Sequence, residues 1–199
     1  MGRWEPNAKG RLEQAALELY VERGFEQTTV SEIAKRAGLT ERTFFRHYAD
    51  KREVLFGGAG ALQDLLVTSV AAAPAALAPI DAVAAALEAA AAVLEERRDS
   101  ARRRQAVISA HPELQERELI KLATLAAALA DTLRQRGVSE VAAKLAAEAG
   151  IAVFKVAFEG WIESMGENGD GVGGAVGERK LAELVRESVD ELKAVTAGS

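Results

Sequence analysis

The sequence predicts an all-α protein built in two regions, and three observations carry that expectation. Apolar residues recur at helical spacing from Leu12 to Val195, with no alternating β-branched run anywhere in the 199 residues. Helix start and stop signals punctuate that pattern at regular intervals. Seven of the ten aromatic residues (Trp4, Tyr20, Phe25, Phe44, Phe45, Tyr48 and Phe56) fall in the first 56 positions, whereas Ala, Leu and Val build the rest. About nine helices are expected, three of them in a small N-terminal region over 1–56 and the others in a larger helical region over 57–199.

Each element has a local reason. Leu12, Ala15, Ala16, Leu19 and Tyr20 form one stripe of a first helix that Gly24 ends. Thr29-Val-Ser-Glu32 reads as a capping box opening a short helix through Ala37. Gly38 stops that helix, and Thr40 caps a third helix running to about Tyr48. Asp50-Lys-Arg-Glu53 is a second capping box, expected to open one long fourth helix from Lys51 to about Ala71. After Pro74 and Pro79, the stripe Ile80, Val83, Leu87, Ala90, Ala91 and Leu94 marks a fifth helix, and a short one ends near Val107 and Ile108. Leu114 to Arg136 is helical until Gly137, and Ser139 to Met165 follows. Within it, Ala149 to Phe158 is apolar almost all round, which predicts burial on both sides. A glycine-rich connection over 167–178 precedes the last helix, Arg179 to Val195.

Composition excludes several chemistries. No cysteine means no disulfide, thiolate zinc site, iron–sulfur cluster or cysteine nucleophile. Two histidines leave almost no material for a Ser/His/Asp site, so no catalytic residue, metal or cofactor is expected. The N-terminus lacks the apolar core of a secretion signal, and Pro6 stands where a myristoylation signal wants Ser or Thr. Leu65 to Ile80 is 16 residues long and broken by two prolines, too short to span a bilayer. A cytoplasmic protein without a membrane partner is the expectation.

Net charge is −5, which by itself disfavours a polyanionic partner. Its distribution points the other way: residues 28–52 hold six basic side chains (Lys35, Arg36, Arg42, Arg46, Lys51, Arg52) against three acidic ones. At physiological salt the Debye length of about 8 Å screens the acidic remainder from such a patch. The same segment, Val30 to Tyr48, reads as helix, glycine turn, helix. Ala34 is small where two helices would cross, and Gly38 supplies the positive φ of a sharp turn. Ile33, Ala37, Leu39, Phe44 and Tyr48 would face inward, leaving Glu41, Arg42, Thr43, Phe45, Arg46 and His47 to meet a DNA groove.

The flanks sharpen this reading. Tyr20-Val-Glu-Arg-Gly-Phe25, Thr28-Thr29 and Phe44-Phe-Arg-His-Tyr48 followed by Asp50-Lys51 resemble, over about residues 9–56, the DNA-binding region of the TetR family of bacterial transcriptional regulators. The resemblance implies a ligand-responsive repressor that binds a palindromic double-stranded operator as a homodimer. It places Thr29 and Ser31 at the DNA backbone, Lys51 on a phosphate, and Thr43, Phe45 and His47 at the groove. Phe45 departs from the Tyr often found there and loses a hydroxyl. Arg42 and Arg46 are candidates for base reading, since a guanidinium can pair bidentately with guanine.

The segment Arg103 to Arg117 resembles actinobacterial sensor domains of the acyl-coenzyme A-like and mycofactocin-regulator group. This, with a small-residue apolar composition, implies a lipophilic effector, anchored through Arg102, Arg103 and Arg104 and contacting Phe154 and Phe158. The plainer reading of the arginine run from Arg97 to Arg104 is a solvated helix face. Dimerisation is expected through the last two helices, at Ile151, Phe158, Leu181, Leu184, Val185 and Leu192. Gly169 to Gly174 matches G-x-G-x-x-G literally, but no strand precedes it, so a dinucleotide site fails on context. A small all-α enzyme and a scaffold protein are the competing classes. Neither explains why basic and aromatic residues gather around a glycine-turned helix pair.

Overall fold

The computed structural model describes residues 7–164 and 179–197. The G-x-G-x-x-G match and Trp4 lie outside them. Among the described residues there are nine α-helices, one 3₁₀ turn and no strand. The helices are α1 (Ala8–Arg23), α2 (Val30–Arg36), α3 (Glu41–His47), α4 (Ala59–Ala72), α5 (Pro79–Glu95), α6 (Arg98–Ser109), α7 (Pro112–Gln135), α8 (Glu140–Glu163) and α9 (Leu181–Ala197). The all-α expectation holds, and so do the predicted stops: Gly24, Gly38 and Gly137 each have positive φ.

Two compact units form. The first is residues 1–60 with 102–119, and the second is 61–101 with 120–199. The functional division drawn at 56/57 therefore does not follow the packing, because the end of α6 and the start of α7 bury Val107, Ile108 and Leu114 in the same cluster as Leu12, Phe25, Ile33 and Phe44. The first unit owes its core to these side chains as well as to α1, α2 and α3.

The fourth helix is not continuous as expected. Asp50 Oδ1 does accept from the Arg52 and Glu53 amides, at 2.8 and 3.2 Å. The Glu53 carboxylate also takes a hydrogen bond from Arg117. A 3₁₀ turn over Glu53–Phe56 follows, and Arg104 Nε takes the Leu55 carbonyl at 2.6 Å. Two glycines, Gly57 and Gly58, then separate this turn from α4. By length and composition alone the stretch Glu53–Ala72 could cross a membrane; as folded, it is interrupted.

The second unit packs α5, α8 and α9 against one another, with α4 and α7 contributing Leu66, Val70, Leu125, Leu129 and Leu133. Gly150 on α8 is where α5 comes nearest, since a Cβ there would collide with the Val83 side chain. Polar groups fasten this unit too. Glu95 accepts from Trp161 Nε1 at 3.2 Å and from the Leu181 amide at 3.0 Å, which caps α9. Arg98 donates to the Trp161 carbonyl and to Ser164 Oγ at the end of α8. Arg136 donates to the carbonyls of Val70, Ala73 and Pro74, closing the end of α4.

The apolar segment Ala149 to Phe158 is buried on one side, not both. Ile151, Val153 and Ala157 are inside, whereas Ala152 and Val156 are exposed, because α5 and α9 cover only one face of α8.

Candidate nucleic-acid interface

The site begins with the cap of α2. Thr29 Oγ1 accepts from the Glu32 amide at 3.3 Å, and Glu32 Oε2 accepts from the Thr29 amide at 2.9 Å, the reciprocal pair that the sequence predicts. These bonds, the Thr29 backbone first, hold the Glu32 carboxyl below the usual glutamate range. Glu32 also pairs with Arg23 at 3.0 Å. Ser31, one residue into the helix, is exposed.

At the turn, Gly38 has φ 67°, a conformation that strains any residue with a Cβ. Its amide donates to the Lys35 carbonyl, and the Leu39 amide to the Ala34 carbonyl at 2.8 Å, so the end of α2 is closed as the chain reverses. Thr40 Oγ1 then caps α3 by accepting from the Thr43 amide at 3.2 Å.

Helix α3 is anchored by its inner face. Phe44 and Tyr48 are buried, and their rings pack at 5.7 Å. Tyr48 donates to Glu13 Oε1 on α1 at 2.6 Å; burial first, and then that carboxylate, push the phenol well above its usual range. The opposite face carries Arg42, Phe45, Arg46 and His47, all exposed, with Thr43 half-buried beside them. Phe45 is 55% exposed, and its ring packs edge-on to Phe44 at 5.5 Å.

Pairing separates the cations of this unit. Arg36 is gripped by Glu22 at 2.8 Å and Glu18 at 3.3 Å, and Arg52 by Asp50. Lys35, Arg42 and Arg46 make no ion pair among the described residues. An exposed cation without a carboxylate keeps its charge available to a phosphate or a base edge.

Lys51 requires a correction to its expected role. Its ammonium donates to the carbonyls of Phe25 (2.8 Å), Thr28 (3.1 Å) and Glu26 (3.2 Å), and it sits 4.3 Å from the centre of the Phe25 ring. All three protons are committed to the loop after α1, so Lys51 positions that loop and has no donor left for a phosphate. Tyr20 braces the same corner, donating to the Lys51 carbonyl at 2.6 Å.

The residues expected at an effector and a subunit interface divide in a similar way. Arg102 and Arg103 are exposed on α6. Arg104 is not a head-group anchor: it is spent on the Leu55 carbonyl, on Glu118 at 3.4 Å and on the Phe56 ring at 5.0 Å, inside the first unit. The Arg98 side chain is only 10% exposed, so the arginine run is only partly a solvated face. Phe154 and Phe158 are partly buried against the core of the second unit, 5.5 Å apart, in a row that ends on the fully buried Trp161. Ile151, Leu181, Leu184 and Val185 are buried within their own chain, and Leu192 is half-buried. They are core residues, and a partner could not reach the first four. The large apolar residues that α8 leaves exposed are instead Val141 (69%), Leu145 (66%) and Val156 (63%), spaced along one face. Sequence reasoning passed over these three because helical spacing fixes which residues share a face but not which face the chain itself covers.

Comparison with known proteins agrees with this architecture. Residues 13–56 match the model of bacterial regulatory proteins of the tetR family, and residues 77–197 match the MftR C-terminal domain. The transcriptional regulator TcmR of Streptomyces glaucescens is 36% identical over 78 residues, 39% of this chain and 34% of TcmR. The regulator MftR of Mycobacterium tuberculosis is 35% identical over 57 residues, 29% of each chain. The matched stretch thus spans about a third of the length of these relatives. In fold, FadR from Bacillus subtilis, solved in complex with stearoyl-CoA, superposes with a TM-score of 0.62 at 18% identity, over 92% of this chain and 96% of FadR. A helix–turn–helix with an open cationic face, followed by a matching C-terminal domain that covers more than half of the sequence, places this chain in the TetR family of bacterial transcriptional regulators.

Proposed function

We propose that this protein is a ligand-responsive cytoplasmic repressor that binds a near-palindromic DNA operator as a homodimer, with α3 of each subunit in a major groove. The observation that carries the reading is the outer face of α3, where Arg42 and Arg46 stand exposed and without an ion pair beside Phe45 while Arg36 and Arg52 are held by carboxylates. Thr43 and His47 complete that face, and the reading assigns Thr29 and Ser31, at the start of α2, to the DNA backbone. Two recognition helices related by a dimer axis would read half-sites one helical turn, about 34–36 Å, or a multiple apart.

The exposed α8 stripe of Val141, Leu145 and Val156 supports a second copy as partner, since isolated apolar residues are ordinary on a surface but a row on one helix face asks for cover. A lipophilic effector of the acyl-coenzyme A-like class is supported by the Ala-, Leu- and Val-rich second unit and by the stearoyl-CoA bound to the FadR neighbour. Phe154 and Phe158 remain candidates to touch it, with Arg102 and Arg103 at its acidic end. The reading assigns regulation and no catalysis.

Gel-shift titration against DNA upstream of the gene tests the core of this proposal. Parent protein should bind with strong salt dependence, and Arg46→Ala should weaken binding and lower the salt slope by about one. An Arg42→Ala, Arg46→Ala double variant that binds like the parent would refute the assignment of α3 as the reading element.

A further inference from the structure

Helix α3 has seven residues, about two turns, so its own backbone bonds give it little hold on a fixed direction. Its inner face is seated by the fully buried Phe44, yet an apolar contact is non-directional and resists rotation weakly. The residue that ends the helix adds a direction. Tyr48 is the C-cap of α3, and its hydroxyl donates to Glu13 Oε1 on α1 at 2.6 Å, across 35 residues of sequence. Burial first, and then the Glu13 carboxylate, keep the phenol in its protonated, donating form.

The chain that follows the 3₁₀ turn runs directly over this bond. A Cβ placed on Gly57 would collide with Glu13 Oε1 and with the Tyr48 hydroxyl. Gly57 has φ −57°, which any residue adopts, so glycine is needed here for space and not for its backbone freedom. Lys9, one helical turn before Glu13 on α1, donates to the Gly57 carbonyl at 2.7 Å and keeps the crossing closed. Reading a base edge tolerates errors of only about 0.5 Å or 10–20° in the reading element. Resting on the DNA-binding reading above, we infer that Glu13 and Tyr48 are positioning residues for operator recognition: their hydrogen bond fixes the pose of α3, and Gly57 leaves it room to form. Neither side chain touches DNA in this role. Both act through Arg42 and Arg46, which α3 carries on its opposite, exposed face.

The test is a specificity ratio measured on full-length variants well below their melting temperatures. It is the affinity for a duplex that the parent enriches from a random library, divided by the affinity for a scrambled duplex of the same length and composition. A loss of stability alone lowers both affinities alike and leaves the ratio unchanged, because phosphate contacts serve both duplexes. Tyr48→Phe, which keeps the buried ring, and Glu13→Ala should each lower the ratio about tenfold, the worth of a hydrogen bond to a charged acceptor. Glu13→Gln keeps an acceptor for the hydroxyl and should recover most of what Glu13→Ala loses. Gly57→Ala should act as Tyr48→Phe does, and the two together should lower the ratio no further, since the added methyl then has no hydroxyl to displace. Tyr48→Phe with the parent's ratio, or Glu13→Gln as poor as Glu13→Ala, would overturn the inference while leaving DNA binding intact. A Gly57→Ala loss that adds in full to that of Tyr48→Phe would overturn the part given to Gly57. Enrichment of no sequence over bulk DNA would overturn operator recognition itself, and this inference with it.

Discussion

Arg36 and Arg46 carry the same guanidinium ten residues apart, and only their neighbours distinguish them. Glu18 and Glu22 on α1 take up Arg36, whereas no described carboxylate reaches Arg46. Sequence reasoning selected Arg42 and Arg46 correctly as outward residues because periodicity around Phe44 and Tyr48 fixes the faces of α3. It misassigned Lys51 and Arg104, because what occupies an ammonium or a guanidinium is set by backbone carbonyls that the fold alone brings near. Lys51→Ala should therefore destabilise the protein by about 2 kcal/mol, leaving three carbonyls without their charged donor; chemical denaturation measures this, and an unchanged midpoint would restore Lys51 as a free phosphate ligand. The α2 cap predicts a pH dependence. Glu32 and Asp50 titrate below their ordinary values in the fold, so the stability they lend is complete above the unfolded carboxylate range and is lost as pH falls through the folded values. Melting temperature should hold from pH 7 to about 5 and drop below about 4, with a shallower drop in Glu32→Gln.

At the scale of elements, caps and stops were legible and helix continuity was not. Thr29, Thr40, Gly24, Gly38 and Gly137 act within three or four residues of themselves, so their effects can be read locally. At the break between the 3₁₀ turn and α4, Arg104 and Arg117, about 50 and 64 residues further along the chain, bind the Leu55 carbonyl and the Glu53 carboxylate. Close helix approach is equally hidden from the sequence. At Gly150 an added methyl meets Val83, whose β-branched side chain has few rotamers into which to retreat. Alanine gains about 1 kcal/mol of helix propensity over glycine, whereas overpacking costs about 1–3 kcal/mol. Gly150→Ala should therefore be net destabilising, and the loss should shrink when Val83→Ala is already present. Four melting curves forming a double-mutant cycle would show that coupling.

For the whole molecule, composition announced two differently built regions and drew their border by sequence number, and the packing into two units does not respect that border. It also could not tell core from interface in α8 and α9, since both are apolar stripes and only the finished chain decides which is already covered. That distinction is measurable. Leu145→Glu, at an exposed position, should leave the fold intact and shift light scattering from dimer to monomer, whereas Val185→Glu should unfold the chain by burying an unpaired charge. A folded, dimeric Leu145→Glu variant would move the interface off α8. The placement of Val107, Ile108 and Leu114 among the side chains of the first unit reaches further still. A reading head cut from this protein after residue 60 would leave Phe25 and its neighbours missing part of their cover, so it is not a portable module. Any recombination that exchanged operator preference between relatives of this architecture would have to carry the hairpin of 102–119 along with the first 60 residues, or rebuild the seam.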